Sequence, residues 1–309
     1  MTGKYVTERL SPDAAGIARA VELLQGGGLV ALPTETVYGL AARADSEKAV
    51  ARIYAAKGRP SHNPLIVHCV DVAAAQNLAV FDATALELAA WHWPGPLTLV
   101  LPRRRDVALA AAVSAGLPTL ALRCPAHPVM QSVLSESGLP LAAPSANRSG
   151  FVSPSTADHV LATLDGRVDA VLDAGPCPSG LESTIVAVRD GGTMDVLRPG
   201  PIVFDAVMAG GGMVEAPGQL ASHYAPGKPL RLSATTAHPD EFLIGYGAVA
   251  GHVTLSARGD LGEAAARLYA CLHEAAQSPL PRIAVVAIPD EGIGIAINDR
   301  LRRAATPPD

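Results

Sequence analysis

Apolar residues follow two rhythms along this chain, short unbroken runs and helical spacings, and the two rhythms alternate. Leu29-Val30-Ala31-Leu32 is an unbroken apolar run between Gly28 and Pro33. It predicts a strand buried on both faces that stops at the proline, which cannot donate to a ladder. Similar runs predict strands over 65–68, 97–101, 119–123, 141–143, 170–173, 183–188 and 194–197. Between them, Ile17, Ala20, Val21 and Leu24, then Ala49, Val50, Ile53 and Tyr54, recur at helical spacing. Ser11-Pro12-Asp13 predicts the start of the first helix, with the proline at its first position, and Gly26-Gly27-Gly28 its end. Asp45-Ser46-Glu47 caps the second, and further helices are predicted near 83–91, 126–137 and 155–164. Gly210-Gly211-Gly212 and Ala216-Pro217-Gly218 mark a linker. Beyond it come strands at Leu230 and over 253–255, a helix over 261–276, a strand over 283–288, a last helix ending near Ala305 and a frayed tail over 306–309. Strands interleaved with helices predict an α/β fold. Its twisted sheet is mixed, because the last two strands of the first unit are spaced like a hairpin. The expected division is a catalytic unit over 1–209, a linker over 210–228 and a small α/β unit over 229–309.

Polar residues gather where the apolar runs stop. Thr34, Glu35, Thr36 and Tyr38 follow the first strand and are closed by Gly39. Ligands of open α/β sheets bind beyond the carboxyl ends of strands, although an ordinary polar turn has the same composition. Lys57 and Arg59 end a helix, with Asn63 and His68 close behind. Cations there complement the helix dipole, or they meet the charge of a nucleoside triphosphate. Arg123 ends an apolar strand and needs a partner, either a substrate carboxylate or an internal Asp or Glu. Ser145, Asn147, Ser153 and Ser155 follow another strand and could bind phosphate or ribose, or cap turns. Glu182-Ser183-Thr184 and Arg198-Pro199-Gly200 stand at two more strand boundaries. A phosphate loop, a dinucleotide-binding glycine motif and a hydrolase elbow around Ser145 are all missing from the sequence.

Composition narrows this picture. Aromatics are only 4% and hydrophobic residues 49%, so the core must be built of Ala, Val, Leu and Ile. With 29 acidic and 24 basic residues, the net charge of -5 argues against a protein that coats nucleic acid. The short basic runs at Arg103-Arg104-Arg105 and at Arg300, Arg302 and Arg303 are solvated surface or an RNA contact. The four cysteines lie far apart, which excludes a closely spaced zinc motif and suits free thiols; no metal site is expected. The N-terminus lacks an apolar leader and no run approaches the ~20 residues of a membrane span. A soluble, cytoplasmic protein is expected, with no membrane partner.

The ordered series of motifs resembles the YrdC-like family. It consists of Pro33-Thr34-Glu35-Thr36-Val37-Tyr38-Gly39-Leu40, Lys57-Gly58-Arg59-Pro60, Asn63-Pro64-Leu65, Trp93-Pro94-Gly95-Pro96-Leu97-Thr98, Ala143-Pro144-Ser145-Ala146-Asn147 and Glu182-Ser183-Thr184. His223-Tyr224-Ala225-Pro226, Gly292-Ile293-Gly294 and Asn298-Asp299-Arg300 resemble the family's long form, which adds a C-terminal, Rossmann-like α/β domain. The resemblance implies an L-threonylcarbamoyladenylate synthase, a nucleotidyltransferase joining L-threonine, bicarbonate or CO2 and ATP, with Mg2+ on the phosphates and pyrophosphate released. The product would serve other proteins that modify adenosine 37 of tRNA to N6-threonylcarbamoyladenosine; stable nucleic-acid binding by this chain is not expected. Threonine would be held by Thr36, His68, Arg123, Ala143 and Ser183. ATP would be held by Arg59, Asn63, Thr119, Ser145, Ser153, Arg198 and Tyr224. The implied catalytic set is Lys57, Arg59, Ser145 and Asn147, and residues 223–226 would act as a lid. Two rivals are an RNA-binding protein on the same fold and a carbamoyl-adenylate enzyme of hydrogenase maturation. Members of the latter group carry acylphosphatase and zinc-finger domains that this chain lacks.

Overall fold

In a computed structural model of the protein, residues 6–204, 207–208, 214–219 and 222–307 are described. The expected glycine hinge at Gly210 to Gly212 and the tip of the frayed tail lie outside them. The first unit carries strands β1 (Glu8–Leu10), β2 (Val30–Leu32), β3 (Gly39–Arg43), β4 (Ile66–His68), β5 (Leu97–Pro102) and β6 (Thr119–Arg123). It continues with β7 (Leu141–Ala142), β8 (Ala170–Leu172), β9 (Thr184–Val188), β10 (Met194–Arg198) and β11 (Val207–Met208). They form one 11-stranded sheet in the order β1-β8-β2-β3-β7-β4-β6-β5-β9-β10-β11. Its helices are α1 (Ala14–Gln25), α2 (Glu47–Lys57), α3 (Val72–Gln76), α4 (Ala83–His92), α5 (Ala111–Ser114), α6 (Pro128–Ser137) and α7 (Ala157–Leu164). The sheet is mixed: β4 runs parallel to β6 and β5 to β9, whereas β5 and β6 are antiparallel.

The first strand shows why unbroken apolar runs mark it. Leu29 and Ala31 face a core shared with α2, α4 and α7, while Val30 and Leu32 face α1 and α6. Successive side chains point to opposite faces, so a strand covered on both sides must be apolar throughout. Elsewhere a smaller apolar floor of Ile66, Val100, Ala121, Ile185 and Leu197 is covered by Ala216 of the connecting segment.

Three expectations need correction. Asp13, not Ser11, caps α1, its carboxylate accepting from Gly16 N at 2.9 Å. The helix near 126–137 starts at Pro128, after a cap at His127. The chain after Pro33 is not only a turn, because β3 returns antiparallel to β2.

The second sheet comprises β12 (Leu230–Ala234), β13 (Glu241–Gly245), β14 (Val253–Thr254) and β15 (Arg282–Val286), all parallel, in the order β12-β15-β13-β14. Helices α8 (Leu261–Gln277) and α9 (Gly294–Ala305) pack on it around Leu268, Tyr269, Leu272, Ile297 and Leu301. The same core takes in Val37, Val152 and Leu181, so the two sheets share apolar packing. His159 of α7 stacks on His273 of α8 across that seam, ring centroids 3.9 Å apart. No helix among the described residues is long and apolar enough to cross a membrane.

Candidate active site

The polar residues gather over one face of the large sheet, around the apolar floor that includes Ile66. His68 and Arg123 are register partners at the ends of the parallel strands β4 and β6. Because β5 and β6 are antiparallel, the starts of β5 and β9 lie beside those ends, with Leu97 opposite Thr184 and Ser183 just before. The end of β10 lies there too, while the turn after β2 and the loop after β7 reach in from the opposite end of the ladder, and together they enclose a cavity of about 520 Å³, part of it open to solvent.

The turn after β2 is built on Thr34. Its hydroxyl accepts from Thr36 N and Val37 N at 3.1 Å each and donates to Val37 O at 2.7 Å. That network presents Thr36 Oγ1 to the Arg123 Nη1 donor at 2.9 Å. Of the two partners open to Arg123, the structure supplies the internal one: Nη2 donates to Glu35 Oε1 at 2.6 Å and Nε to Gly95 O at 3.2 Å. Each terminal nitrogen keeps a second N–H. Glu35 Oε2 accepts from Ala126 N at 3.1 Å. Tyr38 turns away and donates to Gly175 O.

The cations at the end of α2 are just as fixed. Arg59 donates to Asn63 O, Asn63 Oδ1 and Pro64 O, at 3.2, 2.6 and 2.9 Å. Burial lowers its guanidinium to about 10. Lys57 lies behind the cavity, its ammonium donating to Ser145 O and Asn147 O, and burial, then Arg59, pushes its pKa well down. Lys57 therefore shapes the loop that carries Ser145. Arg198 clasps Ser183, donating to its carbonyl from Nε (3.1 Å) and Nη2 (2.9 Å) and from Nη2 to its hydroxyl (3.1 Å). Thr98 Oγ1 lies 2.7 Å from the same hydroxyl.

A roof comes from the connecting segment, where Pro217, Gly218, His223 and Tyr224 line the cavity. Ala225 N donates to Gly150 O, which seats the segment on the first unit. Tyr224 adopts φ +62 and stacks on Tyr269 of α8 at 5.8 Å. His68 and His223 are both lowered to about 3 by burial, so each is a neutral imidazole near neutral pH.

Among the described residues, the buried side-chain atoms without a hydrogen-bond partner are His68 Nδ1, Asn147 Oδ1, Ser153 Oγ, Glu182 Oε1, His223 Nδ1, Tyr224 OH and Arg300 Nη2. Four of these seven belong to residues that line this cavity. Buried polar groups are otherwise almost always paired, so the cluster marks where a polar ligand would bind.

Of the residues singled out from the sequence, Thr36, Arg59, His68, Arg123, Ala143, Ser145, Ser183, Arg198 and Tyr224 line the cavity. Asn63 stands behind Arg59, and Asn147 and Ser153 are buried nearby with unsatisfied oxygens. Thr119 lies four residues from Arg123 on the same face of β6, roughly 13 Å further along. Sequence reasoning gave Gly218 and Tyr269 no place at the site, named Glu182 only within a polar strand boundary, and read Arg300 as solvated surface or an RNA contact, whereas Arg300 is fully buried. A signal for Arg300 existed: it shares one helical face with Ile297, Leu301 and Ala304, and a cation on an apolar face needs a buried partner.

An α/β protein with a cation-rich ligand cavity on a sheet face, roofed by the segment leading to a second small sheet, is the class defined by these features. The family follows from comparison. The family model described as telomere recombination (Sua5, YciO and YrdC) matches residues 22–200, and that for the C-terminal domain of threonylcarbamoyl-AMP synthase matches 196–306. The chain belongs to this Sua5–YciO–YrdC family, in the form that carries the C-terminal domain. A threonylcarbamoyl-AMP synthase of Bacillus subtilis (strain 168) is 39% identical, aligned over 97% of this chain and 96% of its own length. One of Pyrococcus abyssi (strain GE5 / Orsay) is 33% identical over 93% of each. The crystal structure of P. abyssi Sua5 complexed with L-threonine superposes with a TM-score of 0.87, at 31% identity over 97% of both chains.

Proposed function

We infer that this chain is a threonylcarbamoyl-AMP synthase, condensing L-threonine, bicarbonate or CO2 and ATP to threonylcarbamoyl-AMP and pyrophosphate. The observation that carries the reading is the convergence of Arg59, Arg123 and Arg198, all buried, on one cavity with unsatisfied polar atoms. Identity of 39% along nearly the whole chain to a synthase of that name supports it.

In this reading Arg123 and Ser183 take the threonine carboxylate, with Thr36, His68 and Ala143 around the rest of the molecule. The carboxylate uses the N–H groups that Arg123 does not spend on Glu35 and Thr36. His68, held neutral, meets threonine through Nδ1 without adding charge. Arg59, Asn63, Ser145, Ser153 and Arg198 hold the phosphates and sugar, and Tyr224 covers the nucleotide. The adenosine extends over the floor of Ile66 and Ala121 toward Thr119. Threonine's amine captures CO2 as a carbamate. A carbamate oxygen then bonds to the α-phosphorus while the bond to the bridging oxygen breaks, and pyrophosphate leaves with that electron pair. No covalent enzyme intermediate is required, so rate comes from positioning and charge neutralisation. Among the described residues no group of three His, Cys, Asp or Glu could hold a metal. Magnesium enters this scheme as part of the ATP substrate, bound by phosphate oxygens. The roof excludes water from the labile carbamate. The division at 209 and 229 belongs to this proposal, supported by the two separate sheets. So does the onward transfer of the product to tRNA by other proteins.

The test is to incubate the protein with ATP, bicarbonate and each amino acid in turn and to analyse products by mass spectrometry. Threonine alone should give a carbamoyl-adenylate with pyrophosphate. Absence of that product, or equal yield with unrelated amino acids, overturns the reading.

A further inference from the structure

The cavity's one lining carboxylate, among the described residues, is Glu182. It precedes β9, next to Ser183, yet the groups that hold it come from the other sheet's helices. Tyr269 OH of α8 donates to Glu182 Oε2 at 2.6 Å, and Arg300 Nε of α9 donates to the same oxygen at 3.0 Å. Oε1 has no protein partner. Arg300 is fully buried; its Nη1 donates to Asp299 Oδ2 at 2.9 Å, and its guanidinium carbon lies 5.4 Å from the centroid of the Tyr224 ring.

We propose that Arg300 and Tyr269 are positioning residues for the reaction, holding Glu182 with Oε1 turned to the cavity and keeping the adjoining Ser183 fixed against Arg198. The inference rests on the reading of the cavity as the threonine and ATP site. Seating two sheets against each other does not call for charge. Replacing a buried ion pair by apolar residues of similar volume is often neutral or stabilising. What the pair does provide is direction. Two donors on one oxygen fix the carboxylate plane and leave the other oxygen as an acceptor for a substrate hydroxyl or amine. Arg198 grips the following carbonyl from the opposite side, so residues 182 and 183 are clamped from both sheets.

The groups facing Glu182 are Arg300 and Tyr269 from the C-terminal helices, Tyr224 and His223 from the roof, Arg198 from β10, and the Ser153 hydroxyl. Burial alone would raise the carboxyl, and Arg300, then Arg198, hold it down at about 2. Without Arg300, burial acts on a carboxyl that has lost its largest countercharge and shifts it upward, and Oε1 is an acceptor only where Glu182 remains ionised.

The test compares kcat/KM and its pH profile in the full-length wild type, Arg300→Met, Arg300→Lys and Tyr269→Phe, with thermal melting of each. Arg300→Met should lose on the order of 10²-fold in kcat/KM for ATP, the usual effect of a misplaced site group. It should also gain an acid limb where the wild type is flat with respect to Glu182, because burial then raises a carboxyl that has lost its largest countercharge. Arg300→Lys should recover part of the rate and remove the new limb. Tyr269→Phe keeps the ring stacked on Tyr224 and should lose roughly tenfold, the value of one hydrogen bond to a charged group. The double variant Arg300→Met with Glu182→Gln should be no slower than Arg300→Met alone. A merely structural role would lower melting temperatures and leave pH profiles unchanged. Folded Tyr269→Phe and Arg300→Lys proteins with wild-type rates, and no new limb in Arg300→Met, overturn the proposal. An active wild type with unchanged variants sinks this inference alone, whereas a wild type with no threonine-dependent turnover sinks the functional reading and this inference with it.

Discussion

Two buried arginine–glutamate pairs brace the cavity. Arg123 meets Glu35 at 2.6 Å and Arg300 meets Glu182 at 3.0 Å. The first lies wholly within the first unit, joining the end of β6 to the turn after β2. The second crosses from α9 to the start of β9 and joins the two sheets. Every carboxylate oxygen of the first pair has a protein donor, whereas Glu182 Oε1 has no protein donor and Arg300 Nη2 no protein acceptor. A pair satisfied by its own protein sets a rigid wall. A pair left half-satisfied at a cavity is completed by the ligand or by movement of the roof. We read the threonine end as pre-formed and the nucleotide end as completed on binding, and each of the following outcomes bears on that contrast.

The largest effects should fall on the pre-formed wall. Arg123→Ala leaves Glu35 buried without its countercharge, which should cost ~3–5 kcal/mol in urea unfolding. It should also abolish threonine-dependent pyrophosphate release. Arg59→Ala should abolish that release too, but with a smaller stability loss, since Arg59 bonds only neutral oxygens of Asn63 and Pro64. Equal stability losses in the two variants would break the distinction between a paired brace and an ordinary substrate cation. Full turnover by folded Arg59→Ala would remove it from the ATP site.

A middle-sized effect belongs to the roof. Gly218 has φ +85, and a Cβ there would lie 2.9 Å from Arg198 Cδ and 3.0 Å from Tyr224 OH. Gly218→Ala should therefore cost ~1–3 kcal/mol of local strain, displacing the roof. We expect kcat/KM for ATP to fall roughly tenfold, the equivalent of about 1.4 kcal/mol, with little change in the KM for threonine. If the two substrates suffer equally, the ends of the cavity are not separable and the contrast fails.

Legibility in the sequence followed the same divide. β2, β6 and β9 are apolar runs, so their ends and the polar residues there could be placed without coordinates. β1 was missed because Glu8-Arg9-Leu10 is an edge strand carrying charges, with Arg9 paired to Asp158 and Asp173. β3 was missed because Gly39-Leu40-Ala41-Ala42-Arg43 is made of small residues and starts on a glycine. That glycine is needed there, since a Cβ would come 3.3 Å from Ala143 Cβ. β13 hides its buried Glu241, whose partner Arg231 lies on β12. At the site, Arg123 was read as needing a partner, but local spacing could not choose Glu35 over a substrate. Glu182 and Arg300 are 118 positions apart, and only the docking of one sheet on the other decides that they meet.

The smallest effect on turnover should come from the seam where the sheets meet, away from both pairs. His159 and His273 stack with an interplanar angle of 6°, and His273 Nε2 lies 3.1 Å from Ser153 O. Burial first, then the neighbouring His159, lowers His273 to about 3 from an ordinary value near 6.5. The unfolded chain therefore takes up this proton as pH falls through 6.5, while the folded protein resists until about 3. Stability is fully present above that window and is lost on acidification within it. At ~pH 5 the loss from one such histidine is ~2 kcal/mol. His68 and His223, also lowered to about 3 by burial, add similar slopes from inside the cavity. His273→Gln keeps a donor toward Ser153 O and has no proton to gain. Urea titrations between ~pH 7.5 and ~pH 5 should then show the wild-type acid slope reduced but not abolished, since His127 and His159 are lowered by burial too, with turnover near neutral pH unaltered. An unchanged slope would mean that His273 is protonated or solvated in the folded protein. The seam would then be looser than the cavity wall it supports, and the rigid transmission from α8 and α9 to Glu182 would lose its basis.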